Sequence, residues 1–297
     1  MSAKGKFRLQ MATQLGEKTA KDFGFSQFPI DPLYIARQKG IEVFPKRADV
    51  KGISGALILV GTKASLIYST EYNNLGFENF CVAHELGHYF LPGHAEEILA
   101  AGGNHVSRAD FIQNSSIELE ADHFASGLLM PSALTGDLLG NAQIGLEGVL
   151  SLANTAHSSA TAAAIRAAQC SPYPVAVIVS EGSTIAYAFF SEGFKGLDKT
   201  SFFFRKGDPL PLSMTRDFNS NADKVLGAEK TCCETKLSDW FDCQSRLTLD
   251  EEILGLGAYG YTLTVLSSDM LPHDPNEEED EDEKLDRSWE PKFAYNR

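Results

Sequence analysis

Phe80-Cys81-Val82-Ala83-His84-Glu85-Leu86-Gly87-His88 is the stretch on which the reading of this chain turns. Its surroundings predict a helix over 76–90 that stops at Pro92-Gly93, because the residue before a proline is pushed out of the helical region. His84 and His88 are four residues apart, so on a helix both imidazoles project from one face and can share a metal ion. Glu85 sits beside them and can reach a metal-bound water as general base, which is the mechanical content of the HExxH pattern. The short pattern also occurs on surface helices whose two histidines have ordinary partners. Here Cys81, Val82, Ala83 and Leu86 supply an apolar setting that predicts a partly buried site, and Gly87 leaves room for another element to come close.

A catalytic zinc takes three protein ligands and keeps one position open. The third ligand has three candidates: His94, Glu118 and Glu120. His94 has the six-residue offset from His88 of a metzincin third histidine, but that motif wants glycine where Leu91 stands. Glu118 and Glu120 fall on the next predicted helix, Ser115–Met130, which Pro131 ends. Two residues apart, they point about 160° away from each other, so only one can face the metal. Glu118 shares its face with Ala121, Asp122, Ala125 and Leu129, small and apolar enough to pack against the His84 helix. Glu120 shares a more mixed side with His123 and Phe124. Glu118 is therefore the choice, with Glu120 and His94 as alternatives. Asp122, one turn later, suits the task of orienting a metal-bound histidine through its free ring nitrogen. A donor to the developing oxyanion is also expected, with His94, His105, His123 and several tyrosines as candidates.

Upstream, residues 10–40 read as helical with an interruption at Gly24–Pro32. Asp31 as N-cap, Pro32 at the first turn and Gly40 as the stop predict a short helix. Strands follow at Ile41–Phe44, Gly55–Val60 and Ala64–Ser69. Gly93–Asn114 is polar and reads as a loop or flexible lid. Residues 133–169 read as helical, with Leu146–Asn154 and Ser158–Ala168 joined by a tight turn in the outline of a helix-turn-helix. The second of these carries one basic residue, Arg166, whereas a DNA-reading helix needs several donors. Strands return at Val175–Val179, Thr184–Ser191, Ser201–Phe204 and Tyr261–Ser267, predicting an α+β unit with an antiparallel sheet. The chain closes on seven consecutive acids, Glu277 to Glu283, which predict a disordered tail. The implied division is 1–132, 133–170, 171–271 and 272–297.

The formal charge of −14, from 40 acidic against 26 basic residues, argues against nucleic acid as a direct partner. Met1–Gln10 is short and basic with no apolar run behind it, so no signal peptide is expected, and no stretch has the length of a membrane helix. The five cysteines, at 81, 170, 232, 233 and 243, are an odd number without a disulfide framework, and a reducing cytoplasm is the expected compartment. Cys232, Cys233 and Cys243 have poor zinc-site spacing and read as ordinary thiols.

Phe80–His88, followed about thirty residues later by Ile117-Glu118-Leu119-Glu120-Ala121-Asp122 and the closing Leu128-Leu129-Met130-Pro131, resembles the ImmA/IrrE-type metallopeptidases. The segment Ile30-Asp31-Pro32 before Gly40-Ile41-Glu42-Val43, and the run Tyr173–Ser180 after the middle helices, fit the same layout. The resemblance implies a zincin-like peptidase domain, a helix-turn-helix-like helical domain and a GAF-like C-terminal sensor or docking domain. It implies Zn2+ held by His84, His88 and Glu118, with Mn2+ or Fe2+ also compatible with such a donor set. It implies, too, cleavage of a helix-turn-helix repressor, in a stress response or in control of a mobile element. The rival reading is a non-catalytic module that acts by binding a repressor or toxin partner.

Overall fold

The computed structural model describes residues 3–46, 52–71, 73–107, 116–171, 173–198 and 202–269. The expected acidic tail lies outside them, as do residues 108–115 of the expected lid and helix start. The architecture is α+β. Helix α1 (Ala3–Asp22) leads to α2 (Pro32–Gln38), where the Asp31 side chain accepts a hydrogen bond from Tyr34 N at 3.1 Å. The first sheet comprises β1 (Glu42–Pro45), β2 (Gly55–Val60), β3 (Lys63–Tyr68) and, past two helices, β4 (Asn104–Ser107). Its order is β1-β3-β2-β4, with β1 parallel to β3 and the other pairs antiparallel.

Helix α3 (Leu75–Phe90) is capped by Asn74, whose side chain accepts from Phe77 N at 3.1 Å, and it stops where Leu91 turns extended ahead of Pro92. Short helix α4 (His94–Ala100) and β4 occupy the stretch expected to be a loop. The correction has a physical source: Ile98 is buried, and β4 draws its support from pairing with β2 rather than from apolar residues of its own.

Helix α5 (Ser116–Leu129) packs against both α1 and α3, and small residues set how closely. A Cβ on Gly16 would fall 2.2 Å from Phe124 O, and one on Gly127 would fall 2.2 Å from Thr13 O. On the other flank, a Cβ on Gly87 would meet Ala121 Cα at 3.0 Å. The three helices therefore run at backbone contact.

Helices α6 (Ser132–Gly140), α7 (Leu146–Thr155) and α8 (Ala160–Cys170) follow. The turn between α7 and α8 sits on the start of α3: Asn79 Nδ2 donates to His157 O at 3.2 Å, and Gly76 leaves no room for a Cβ beside Ser158. Arg166, the basic residue of α8, is buried. It donates to Met130 O at 2.7 Å and to Ser132 Oγ at 2.8 Å, and it pairs with Glu17 of α1. Its guanidinium ties helices together and is not presented to a nucleic acid.

The second sheet, β5 (Val175–Glu181), β6 (Thr184–Phe190), β7 (Lys230–Lys236), β8 (Thr248–Gly255) and β9 (Thr262–Ser267), is antiparallel in the order β6-β5-β9-β8-β7. Val175, Val177, Val179, Leu263 and Val265 join the core of the helices, while Ala176, Ile178 and Leu266 face a second, aromatic core with Phe194, Phe202, Trp240 and Phe241. Short helices α9 (Glu192–Lys195), α10 (Met214–Asn219), α11 (Ala222–Leu226) and α12 (Leu237–Trp240) cover the sheet's ends and outer face. Residues 202–204, expected as strand, are irregular. Strands β7 and β8 are not among the expected strands; in β8 a glutamate stands at a core position between Leu249 and Ile253. Glu251 is nevertheless satisfied there, accepting from Thr215 N and Oγ1 at 2.7 Å each and from Trp240 Nε1 at 3.3 Å.

Helix contact at Gly127 leaves a methyl no rotamer by which to escape. Gly127→Ala is expected to cost about 1–3 kcal/mol, read as a lower denaturant midpoint at an unchanged m-value. Gly136→Ala, on α6 with nothing within 4 Å of the added carbon, is expected to stabilise by about 0.5 kcal/mol.

Candidate metal centre

Three elements bring the polar side chains together. Helix α3 presents His84, Glu85 and His88, helix α5 presents Glu118 and Asp122, and strand β4 presents His105. His84 Nε2 lies 3.1 Å from His88 Nε2 and 3.2 Å from Glu118 Oε2, while His88 Nε2 lies 3.4 Å from Glu118 Oε1. Donor atoms about 2.0–2.2 Å from a tetrahedral zinc stand about 3.3–3.6 Å apart. The three side chains thus form a triangle of nearly the right size. His105 Nε2 approaches the same carboxylate, 3.0 Å from Glu118 Oε1, and one ligand atom from each of the four residues lies within 4.8 Å of the others. The donor set fits a small divalent metal of the zinc type.

The rear of each ring is also held. His84 Nδ1 is 2.8 Å from Asp122 Oδ1, the kind of contact that fixes a ligand's tautomer. His88 Nδ1 is 3.1 Å from His94 Nδ1, and His94 Nε2 is 3.4 Å from Glu120 Oε2. Glu120 in turn receives Arg8 of α1 twice, Nε to Oε1 and Nη2 to Oε2, each at 2.8 Å. Glu118 and Glu120 therefore diverge as helical geometry requires. Glu118 faces the imidazoles of His84, His88 and His105, while Glu120 faces His94 and α1. His94 lies behind His88, outside the four-residue group. His123 points to α1, its Nδ1 3.2 Å from Thr13 Oγ1.

Sequence reasoning placed His105 only among candidate oxyanion donors. The available signal was weak: an isolated histidine in a polar tetrapeptide. Its proximity to Glu118 arises from the pairing of Leu57 with His105 across β2 and β4, which local sequence does not encode.

Glu85 is wholly buried, and among the described residues neither of its carboxylate oxygens has a hydrogen-bond partner. A Cβ on Gly55 of β2 would meet Glu85 Oε1 at 2.5 Å, so a glycine there provides the carboxylate's space. Burial raises the Glu85 pKa, against the opposing pull of His84 and the nearby Ser107 hydroxyl, which itself sits 3.3 Å from His105 Nε2. For His84 burial acts downward, but hydrogen bonds to Asp122 and Glu118 outweigh it and raise the pKa to about 10. His88, with burial and the neighbouring His84 both disfavouring a second proton, is pushed far down. Burial opposes ionisation of Glu118, yet hydrogen bonds from His105 and His84 prevail and hold its pKa well below the usual carboxylate range. The two shifts together favour charge pairing of His84 with the Glu118 carboxylate.

Residues 36–167 match the family model of the IrrE N-terminal-like domain, Peptidase M78. This segment is similar to the IrrE N-terminal-like domain. The family is of metallopeptidase type, and its match takes in α3, β4 and α5 but begins beyond α1. The fold of the chain is similar to that of a Mycobacterium tuberculosis transcriptional regulator, with a TM-score of 0.55 and 13% identity over 86% of this chain and 76% of that one. No curated protein matches the chain.

Metal uptake must displace the His84 proton, because a ligating nitrogen has to be neutral. Since that proton is held up to a pKa of about 10, zinc affinity is expected to rise with pH across the neutral range, by about tenfold per unit while one proton is released. Zinc at about 100 times its dissociation constant should stabilise the fold by about 2.7 kcal/mol, read as a higher thermal midpoint. In Glu118→Ala that rise should be absent.

Proposed function

We propose that the chain is a zinc-dependent endopeptidase that cleaves a helix-turn-helix transcriptional repressor, with His84, His88 and Glu118 as metal ligands and Glu85 as general base. The observation that carries the enzymatic reading is the fully buried Glu85 carboxylate beside the two imidazoles, without a close hydrogen-bond partner among the described residues. A buried carboxylate without partners is costly, and a site that only held a metal would have no use for one. The M78 family match and the fold shared with a transcriptional regulator support a regulatory peptidase.

A bound divalent metal supplies Lewis acidity, activating water and polarising a scissile carbonyl. Glu85 takes a proton from the attacking water onto its carboxylate and delivers one to the leaving amine nitrogen. Asp122 holds the His84 ring through Nδ1, leaving Nε2 free. His105, with 16% of its side chain exposed where His84 and His88 have 9% and 0%, is the most exposed of the three imidazoles; its Nε2–H, which donates to Glu118 Oε1 in this structure, would turn to the developing oxyanion once Glu118 holds the metal.

The position of His105 also favours a second reading. As a fourth ligand it would close the shell, and a closed shell belongs to a structural site in a binding module acting through a repressor or toxin partner. For the remainder of the chain we propose the division 1–132, 133–170 and 171–271 followed by the tail, the third part serving as a GAF-like sensor or docking domain. The five free cysteines suit the reducing cytoplasm. No described helix is long and apolar enough to cross a membrane.

The substrate is to be sought as a small helix-turn-helix repressor encoded beside this gene, cut on co-expression with metal. Glu85→Gln is expected to keep zinc and abolish cleavage; cleavage at the wild-type rate would refute the mechanism. His105→Ala should keep zinc affinity while lowering kcat by about 100-fold or more, the usual loss of one oxyanion donor. Weakened zinc binding with faster cleavage would instead make His105 a ligand that closes the site.

A further inference from the structure

We propose that His94, Glu120 and Arg8 form a hydrogen-bonded relay that sets the tautomer of His88 and so aims its Nε2 at the metal, making helix α1 a working part of the centre. The inference rests on the metal centre proposed above and assigns three residues that sit outside it.

Proton bookkeeping along the chain of contacts, with His94 neutral, allows one arrangement. Glu120, gripped by two hydrogen bonds from the Arg8 guanidinium, acts as an acceptor. The proton in its contact with His94 therefore belongs to His94 Nε2. A neutral His94 then offers a lone pair at Nδ1. Across the 3.1 Å contact His88 must be the donor, with its proton on Nδ1. That leaves the lone pair of His88 on Nε2, the atom that faces His84 Nε2 and Glu118. The opposite arrangement, with a proton on His88 Nε2, would aim an N–H into the space a metal needs and leave two acceptors facing each other at the rear. With metal bound, His84 would reach the same state more simply, through Asp122.

Burial gives the relay its force. His88, His94 and Glu120 are 0%, 1% and 5% exposed, so no bulk water can substitute for a missing partner. Arg8 is the surface end, with 48% of its side chain exposed. It stands on a helix that precedes the family-matched segment and is held to α5 by the backbone contacts at Gly16 and Gly127. The site is thus completed by an element that the metal motif does not contain.

The test uses the full chain, with zinc affinity measured by competition with a chromophoric chelator. It adds ring-nitrogen NMR of the zinc-loaded wild type. His94→Leu keeps bulk but accepts nothing, and is expected to weaken zinc binding by about 10–100-fold, the usual effect of losing a ligand's supporting partner. His94→Asn, whose amide oxygen can accept from His88 Nδ1, should recover most of that loss. Arg8→Met, at the half-exposed surface end of the relay, should weaken binding less than His94→Leu does. In the spectra His88 should carry its proton on Nδ1 and His94 on Nε2. His94→Leu binding zinc like the wild type, or His94 protonated on Nδ1 alone, overturns the relay and leaves the metal centre standing. A wild-type chain that takes up no zinc overturns the metal centre and the relay with it.

Discussion

Close approach of α3 to α5 at Gly87 and Ala121 is the contact on which the centre depends. Glutamate is short beside the span of two ordinarily packed helices, which lie about 8–10 Å apart. With a side chain at 87 the axes would separate, and the Glu118 oxygens could not stay within 3.2–3.4 Å of both imidazoles. The contacts of α1 at Gly16 and Gly127 continue the same compression on the far side of α5. Three helices pressed to backbone distance hold side chains from each in one small volume.

That volume is electrostatically demanding. Glu85, Glu118 and Glu120 are all buried, and each meets the difficulty in its own way. Glu118 is compensated by imidazole donors and, on our reading, by the metal. Glu120 is compensated by the bidentate guanidinium of Arg8. Glu85 has no close hydrogen-bond partner among the described residues and is eased only by nearby His84, the Ser107 hydroxyl and His105, in a space opened by Gly55. Such a weakly compensated group persists only where surrounding packing over-determines its position, and β2, α3 and β4 provide that packing.

The remainder of the chain is tied to the same core. The α7–α8 turn rests on the start of α3, Arg166 joins α8 to α1, and one face of the second sheet is sealed by the helices. Glu252 of β8 adds a polar tie, accepting from Leu146 N at the start of α7 at 2.7 Å. These contacts join the second sheet to α3 by way of α7 and the α7–α8 turn. Its other face is closed by an aromatic core of its own.

Much of this was written locally. Period, caps and prolines determined α2, α3 and α5, since Asp31, Asn74 and Pro131 act within a few residues of themselves. The four-residue offset put His84 and His88 on one face, and opposite helical phase separated Glu118 from Glu120. Only the tertiary structure decided what each of those faces meets. It placed His105 at Glu118 through the β2–β4 register, moved His94 from candidate ligand to the rear of His88, and brought Arg8 to Glu120. It also made strands of β7 and β8, where the core position of Glu251 depends on Thr215 and Trp240. The division follows the range of the forces: backbone hydrogen bonds and helical phase are local, whereas a buried polar atom's partner can come from anywhere the chain folds back.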